Sequence, residues 1–142
     1  MNKKLPVQFY FLSPCTLQNR GRLKMFILSI FKKEKKSLEQ LTIIFCDDSY
    51  LLGLNRRFLK HDFYTDILSF PLSNANQQLI AEIYISVDRV RENARSYGST
   101  LKAELHRVIF HGVLHFCGYK DKSAADKKTI RTLEDKYLKS YW

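Results

Sequence analysis

The sequence predicts an α+β fold: a single domain over residues 1–142, with one four-stranded mixed sheet packed with helices. Three observations carry this. The chain has 142 residues, 45% of them hydrophobic, so one core of ordinary size can form. Four short runs have the β-branched content or the alternation of strands. Five longer runs have a helical stripe or a polar helical surface, and most are bounded by capping residues. The order β α β α β β α α α is an α+β arrangement.

Val7–Leu12 (VQFYFL) reads as the first strand. Leu17–Lys33 sets Leu23, Phe26, Ile27, Ile30 and Phe31 on one helical stripe, with basic residues filling the rest. Leu41–Cys46 (LTIIFC) is short and β-branched, hence a strand, after which Asp47 or Asp48 can cap a helix to about Leu59. Asp66–Leu72 and Leu79–Val87 are two further strands joined by a polar loop, 73–78. The second alternates, with Ile83, Ile85 and Val87 on one face and Glu82, Tyr84 and Ser86 on the other. A polar helix from Asp88 to Tyr97 stops at Gly98. Thr100 caps the next, which ends before Gly118, and Ser123 with Asp126 forms a capping box opening the helix Ala124–Leu138.

The charge balance narrows the partners. Lys and Arg number 24 against 14 Asp and Glu, a net +10, and residues 1–36 hold nine of the positive charges with one negative, Glu34. Such a basic segment suits the phosphates of RNA, DNA or an anionic membrane surface, and serves equally as a solubilising face. No run approaches the roughly 18 apolar residues of a membrane span, and Pro6 and Gln8 interrupt any signal-peptide pattern. Cys15, Cys46 and Cys117 are odd in number and lack CxxC spacing, which fits a reducing cytoplasm and no disulfide-linked partner.

The chemistry concentrates in His111-Gly-Val-Leu-His115-Phe-Cys-Gly118-Tyr-Lys-Asp121. Histidines at i and i+4 share one helix face, about 6 Å apart along the axis, and two neutral imidazoles so placed can bind one Zn²⁺. Gly118 ends the helix and permits the chain to reverse, which lets Asp121 reach the same ion. An isolated pair of this kind is more often a surface pair; Gly118 and Asp121 at the correct distances shift the balance to a metal site. Two nitrogens, one oxygen and a fourth position for water describe an open, catalytic zinc site. His106 points about 140° away from His111 around the helix. His61 falls in a polar turn, and Cys117 reads as a small core residue. Gly112 stands where HExxH proteases carry their glutamate, so peptide hydrolysis is disfavoured.

HGVLHFCGYKD also resembles the H-G-x-L-H-x-x-G-Y-D-H signature of the YbeY family of bacterial endoribonucleases. Upstream, Leu54-Asn55 followed by Thr65–Pro71 (TDILSFP) resembles that family's L-N…T-[DN]-V-L-S-F-P segment, and Leu79–Ile85 its L-G-D-I-x-I strand. The resemblance implies a cytoplasmic, single-strand-specific endoribonuclease with one zinc per chain in a cleft. Its expected role is in small-subunit (16S) rRNA maturation and ribosome quality control, with RNA and the small ribosomal subunit as partners. Asp121 stands where the family has its third ligand, a histidine. The family's arginine before the second block falls on Leu59, with Arg56, Arg57 and Lys60 close by as RNA-binding candidates.

The expected mechanism is hydrolysis of an RNA phosphodiester. A metal on His111, His115 and Asp121 would lower the pKa of a bound water to about 7 or polarise a phosphoryl oxygen. Phe58, Phe63 and Tyr64 are available to stack bases; core packing competes with that reading for each and is the safer expectation for Phe58. No residue stands out in the sequence as general base. The competing class is a non-catalytic RNA- or ribosome-binding assembly factor whose zinc is structural.

Overall fold

Strands β1 (Val7–Phe11), β2 (Leu38–Cys46), β3 (Ile67–Pro71) and β4 (Leu79–Ser86) form one sheet in the order β1-β2-β4-β3. The computed structural model describes residues 5–142. Lys3 and Lys4 of the basic segment lie outside the described residues. β1 and β4 flank β2 in parallel, and β3 runs antiparallel to β4, so the sheet is mixed. The helices are α1 (Arg20–Lys33), α2 (Asp48–Leu59), α3 (Val87–Tyr97), α4 (Leu101–Phe116) and α5 (Ala124–Tyr141).

Alternation along the strands makes two layers on two faces. Leu41, Ile43 and Phe45 of β2 and Ala81, Ile83 and Ile85 of β4 join one core with Leu23, Ile27 and Ile30 of α1, Val90 of α3, Ile109, Phe110 and Val113 of α4, and Ile130 and Tyr137 of α5. On the opposite face, among the described residues, only α2 packs, where Leu51 meets Cys46 and Leu68. The caps fall where the sequence puts them. Asp47 accepts from the Tyr50 N–H, Thr100 from the Ala103 N–H, and Ser123 and Asp126 cap each other reciprocally.

Some boundaries shift for local reasons. Asn19 takes a left-handed conformation (φ 53°), so α1 starts at Arg20 and not at Leu17, although Leu17 is still buried. Val87 leaves β4 for α3 because the Ser86 side chain accepts from the Arg89 N–H and starts the helix there. α5 runs on to Tyr141, whose ring is buried against Phe26 and Phe110.

The feature that most affects the site is the closeness of α4 to the sheet. A Cβ on Gly112 would lie 2.8 Å from Ile67 Cδ1 and 2.9 Å from Ile83 Cδ1, closer than carbon atoms pack. The residue after His111 therefore faces the sheet and carries no side chain, while His111 itself is turned away towards α5. None of the described helices is long and apolar enough to cross a membrane.

Candidate metal centre

His111 and His115 meet as their spacing requires. Their Nε2 atoms face each other at 2.8 Å, with the rings nearly perpendicular at 81°. His111 Nε2 is also 3.5 Å from Asp121 Oδ2, and ligand atoms of all three residues lie within 4.8 Å of one another. Two ligands about 2.0–2.1 Å from a tetrahedral ion stand about 3.4 Å apart. The observed separations bracket that value, so this donor set fits a divalent ion with modest adjustment.

Asp121 is delivered by the end of α4. The Gly118 N–H donates to the His115 carbonyl and the Tyr119 N–H to the Leu114 carbonyl, and Gly118 has φ 102°, a reversal that a side chain would strain. The turn is then held from a distance. Glu34, which closes α1, accepts hydrogen bonds from the Tyr119 hydroxyl (2.9 Å) and the Tyr137 hydroxyl (2.8 Å). One carboxylate thus links the loop before Asp121 to α5.

Glu134 of α5, which the sequence reading missed, supplies the other half of the site. Its Oε2 is 2.6 Å from His111 Nδ1, and its Oε1 accepts from Arg107 Nη1 at 3.1 Å, while Arg107 Nη2 donates to Asp135 at 2.6 Å. Glu134 is 3% exposed, so its charge needs both partners. A carboxylate on Nδ1 draws the ring proton there and leaves the Nε2 lone pair facing His115 and Asp121. Burial opposes charge on His111, but Glu134, Asp121 and Asp66 outweigh it and its pKa is raised in the metal-free protein. Burial and the neighbouring His111 lower that of His115.

A cavity of about 180 Å³ opens beside His111 and Asp121, lined among others by Asp66, Asn93, Glu104, Arg107, Arg131 and Glu134. Asp66 sits just before β3, where its carbonyl accepts from the Ser86 N–H and its carboxylate accepts from Asn93 Nδ2 at 3.3 Å. Burial raises the pKa of Asp66 and of Glu104. The loop leading to Asp66 is held by Asn55, buried in α2, whose side-chain amide donates to the Phe63 carbonyl at 2.9 Å.

Arg56, Arg57 and Lys60 lie at the end of α2 and do not line this cavity. Arg56 pairs with Asp62, the Arg57 guanidinium lies 5.1 Å from the Phe58 ring centre, and Lys60 is the left-handed residue that ends the helix. Phe58 corrects an expectation. It is 56% exposed, because among the described residues α2 is the only helix on its face and Phe58 lies over Phe70 near the sheet edge. Phe63 and Tyr64 are exposed, with His61 stacked on Phe63. His106 is buried against the end of α5, and Cys117 is a half-buried neighbour of the core.

The model of the endoribonuclease YbeY family matches residues 17–142, which include α1 to α5 and His111, His115 and Asp121. The chain belongs to the YbeY family. An endoribonuclease YbeY of Cytophaga hutchinsonii is 48% identical over 122 residues, covering 86% of this chain and 85% of that protein. One of Flavobacterium psychrophilum is 47% identical, covering 82% of each. A solution structure of a Thermotoga maritima protein superposes with a TM-score of 0.66 at 28% identity, covering 96% of this chain and 89% of the other. The family match therefore spans the elements that bring His111, His115 and Asp121 together.

Proposed function

We propose that this chain is a metal-dependent, single-strand-specific endoribonuclease of the cytoplasm, acting in small-subunit (16S) rRNA maturation and ribosome quality control, with residues 1–142 as its one catalytic domain. The observation that carries the reading is the convergence of His111 Nε2, His115 Nε2 and the Asp121 carboxylate at one edge of a polar cavity, in a chain whose relatives are named as endoribonucleases. These three residues would hold one zinc per chain, since two imidazoles and a carboxylate are a donor set that zinc accepts. Bound there, the ion supplies Lewis acidity and an activated water for phosphodiester hydrolysis.

The chain's own residues do the rest. Glu134 accepts the hydrogen bond of His111 Nδ1–H and holds the ring in place, and Arg107 fixes the other Glu134 oxygen. Asp121 brings a negative charge where a third histidine would bring none. Gly112 stands where a zinc protease carries its glutamate, so the chain lacks that general base and the peptidase alternative is disfavoured. Beyond the cavity, Arg56, Arg57 and Lys60 meet phosphates of the approaching strand, and the exposed rings of Phe63 and Tyr64 offer faces to unpaired bases. Ribosomal RNA and the small ribosomal subunit are the partners this reading assigns.

The test is cleavage of a labelled single-stranded RNA beside a binding measurement on the same samples. His115→Ala should abolish cleavage and leave RNA affinity within about threefold, because affinity comes mainly from the basic surface. Cutting that survives both His115→Ala and prolonged chelation would refute a metal-dependent mechanism. Zinc-loaded wild type that binds RNA and never cuts it would replace the enzyme with an assembly factor carrying a structural zinc.

A further inference from the structure

The cavity beside the metal ligands is acidic, which is a problem for a phosphodiester. Asp66, Glu104, Asp121 and Glu134 line it against two cations, Arg107 and Arg131. Arg107 is already committed, with one nitrogen on Glu134 and another on Asp135. Even with a divalent ion in place, four carboxylates and one occupied guanidinium leave a phosphate little to bind within this cavity; Lys120 and Lys122 line a separate pocket beside His115 and Asp121. Arg56, Arg57 and Lys60 are outside the cavity.

Arg131 is different. Its side chain lines the cavity and is exposed, and among the described residues it forms no ion pair. It stands one helical turn before Glu134, at i and i+3, so it shares the face of α5 that holds His111 in place. It lies close enough to Glu104 to oppose the rise that burial imposes on that carboxyl. A guanidinium is always charged and offers paired N–H groups that match two phosphate oxygens at once.

We propose that Arg131 binds the scissile phosphate beside the metal ligands, as the one cavity cation whose hydrogen-bonding groups are free to turn to a substrate. The assignment rests on the endoribonuclease reading above. It makes α5 a two-part element, with Glu134 directed at a metal ligand and Arg131 at the substrate. In the transition state, where negative charge grows on the phosphoryl oxygens, the same contact strengthens.

The test compares zinc-loaded wild type with Arg131→Ala, Arg131→Lys and Lys128→Ala, an exposed lysine of the same helix. Arg131→Ala should lower kcat/KM on a labelled single-stranded RNA about 100-fold, mostly in kcat, as loss of one transition-state donor does. Arg131→Lys should restore only part of this, because an ammonium lacks the planar fork. Zinc content and melting temperature should match wild type in both, and Lys128→Ala should leave kcat/KM unchanged. Titration with inorganic phosphate should show binding to Arg131→Ala weakened about tenfold. A kcat/KM for Arg131→Ala within twofold of wild type, or an equal loss in Lys128→Ala, overturns the assignment. If zinc-loaded wild type cuts no RNA, the nuclease reading falls and phosphate binding decides alone. Weaker binding in Arg131→Ala then supports an Arg131 anion site, and equal binding removes it.

Discussion

His106 and His111 stand on the same helix, both largely out of water, and their surroundings give them opposite properties. The His106 ring is 3% exposed, lies 5.4 Å from Tyr141 and 4.7 Å from Trp142 by ring centres, and meets only the Lys102 carbonyl at 2.7 Å. With no carboxylate to face, burial dominates and its pKa is lowered. His111 is opposed by burial as well, but Glu134, Asp121 and Asp66 surround it and its pKa is raised. Residue type and helix do not separate the two. The next layer does: aromatic rings from the end of α5 make one histidine a packing residue, and a carboxylate from the middle of α5 turns the other towards His115 and Asp121.

That contrast can be broken most severely at the ligands. Wild type should hold about one zinc per chain after dialysis, while His111→Ala or His115→Ala should each lose most of it, since two-ligand sites bind zinc poorly. Asp121→His should keep the metal, because it exchanges one ligand type for another. Metal analysis of freshly purified protein decides this, and full occupancy in both alanine variants would dissolve the distinction between His106 and the pair.

A smaller effect is expected one layer out. Glu134→Ala should weaken zinc about 10–100-fold in a competition titration, as loss of a partner behind a metal-bound histidine does. Glu134→Gln keeps an oxygen that can accept from Nδ1 and should lose less. Equal losses in the two variants would mean that the charge of Glu134 matters and its hydrogen bond does not.

The smallest effect belongs to His106. A histidine whose folded pKa lies below its unfolded value binds fewer protons folded than unfolded, so folding stability falls with pH below about 6.5. His111 in the metal-free protein has the opposite sign, its contribution fading as pH rises through its raised pKa. His106→Phe keeps a ring against Tyr141 and should flatten the acid side of the stability profile, measured by urea unfolding of metal-free protein between pH 5 and about 7. An unchanged slope would show that His106 does not differ from an exposed histidine.

The comparison also explains what the sequence made legible. His111, His115, Gly118 and Asp121 lie in one short stretch, so helix geometry and a turn are enough to bring them together. The caps at Asp47, Thr100 and Ser123 were legible for the same reason, each acting over three residues. Glu134 was not, because Leu133-Glu134-Asp135-Lys136 looks like the solvent side of a polar helix, and only the packing of α5 on α4 turns it inward. Arg131 was hidden likewise. Phe58 was misread because its aromatic character suggests a core, whereas α2 has a face of the sheet to itself and leaves its last turn uncovered.

The bond between Glu34 and the two tyrosines bears on how the protein assembles. Tyr119 and Tyr137 are 85 and 103 residues from Glu34 along the chain, so each contact closes a long loop and forms only after α1 has docked. The two imidazoles, by contrast, are aligned as soon as one turn of α4 exists. The histidine pair therefore rests on local helix geometry, whereas the brace on the loop that carries Asp121 rests on the docking of α1 and α5.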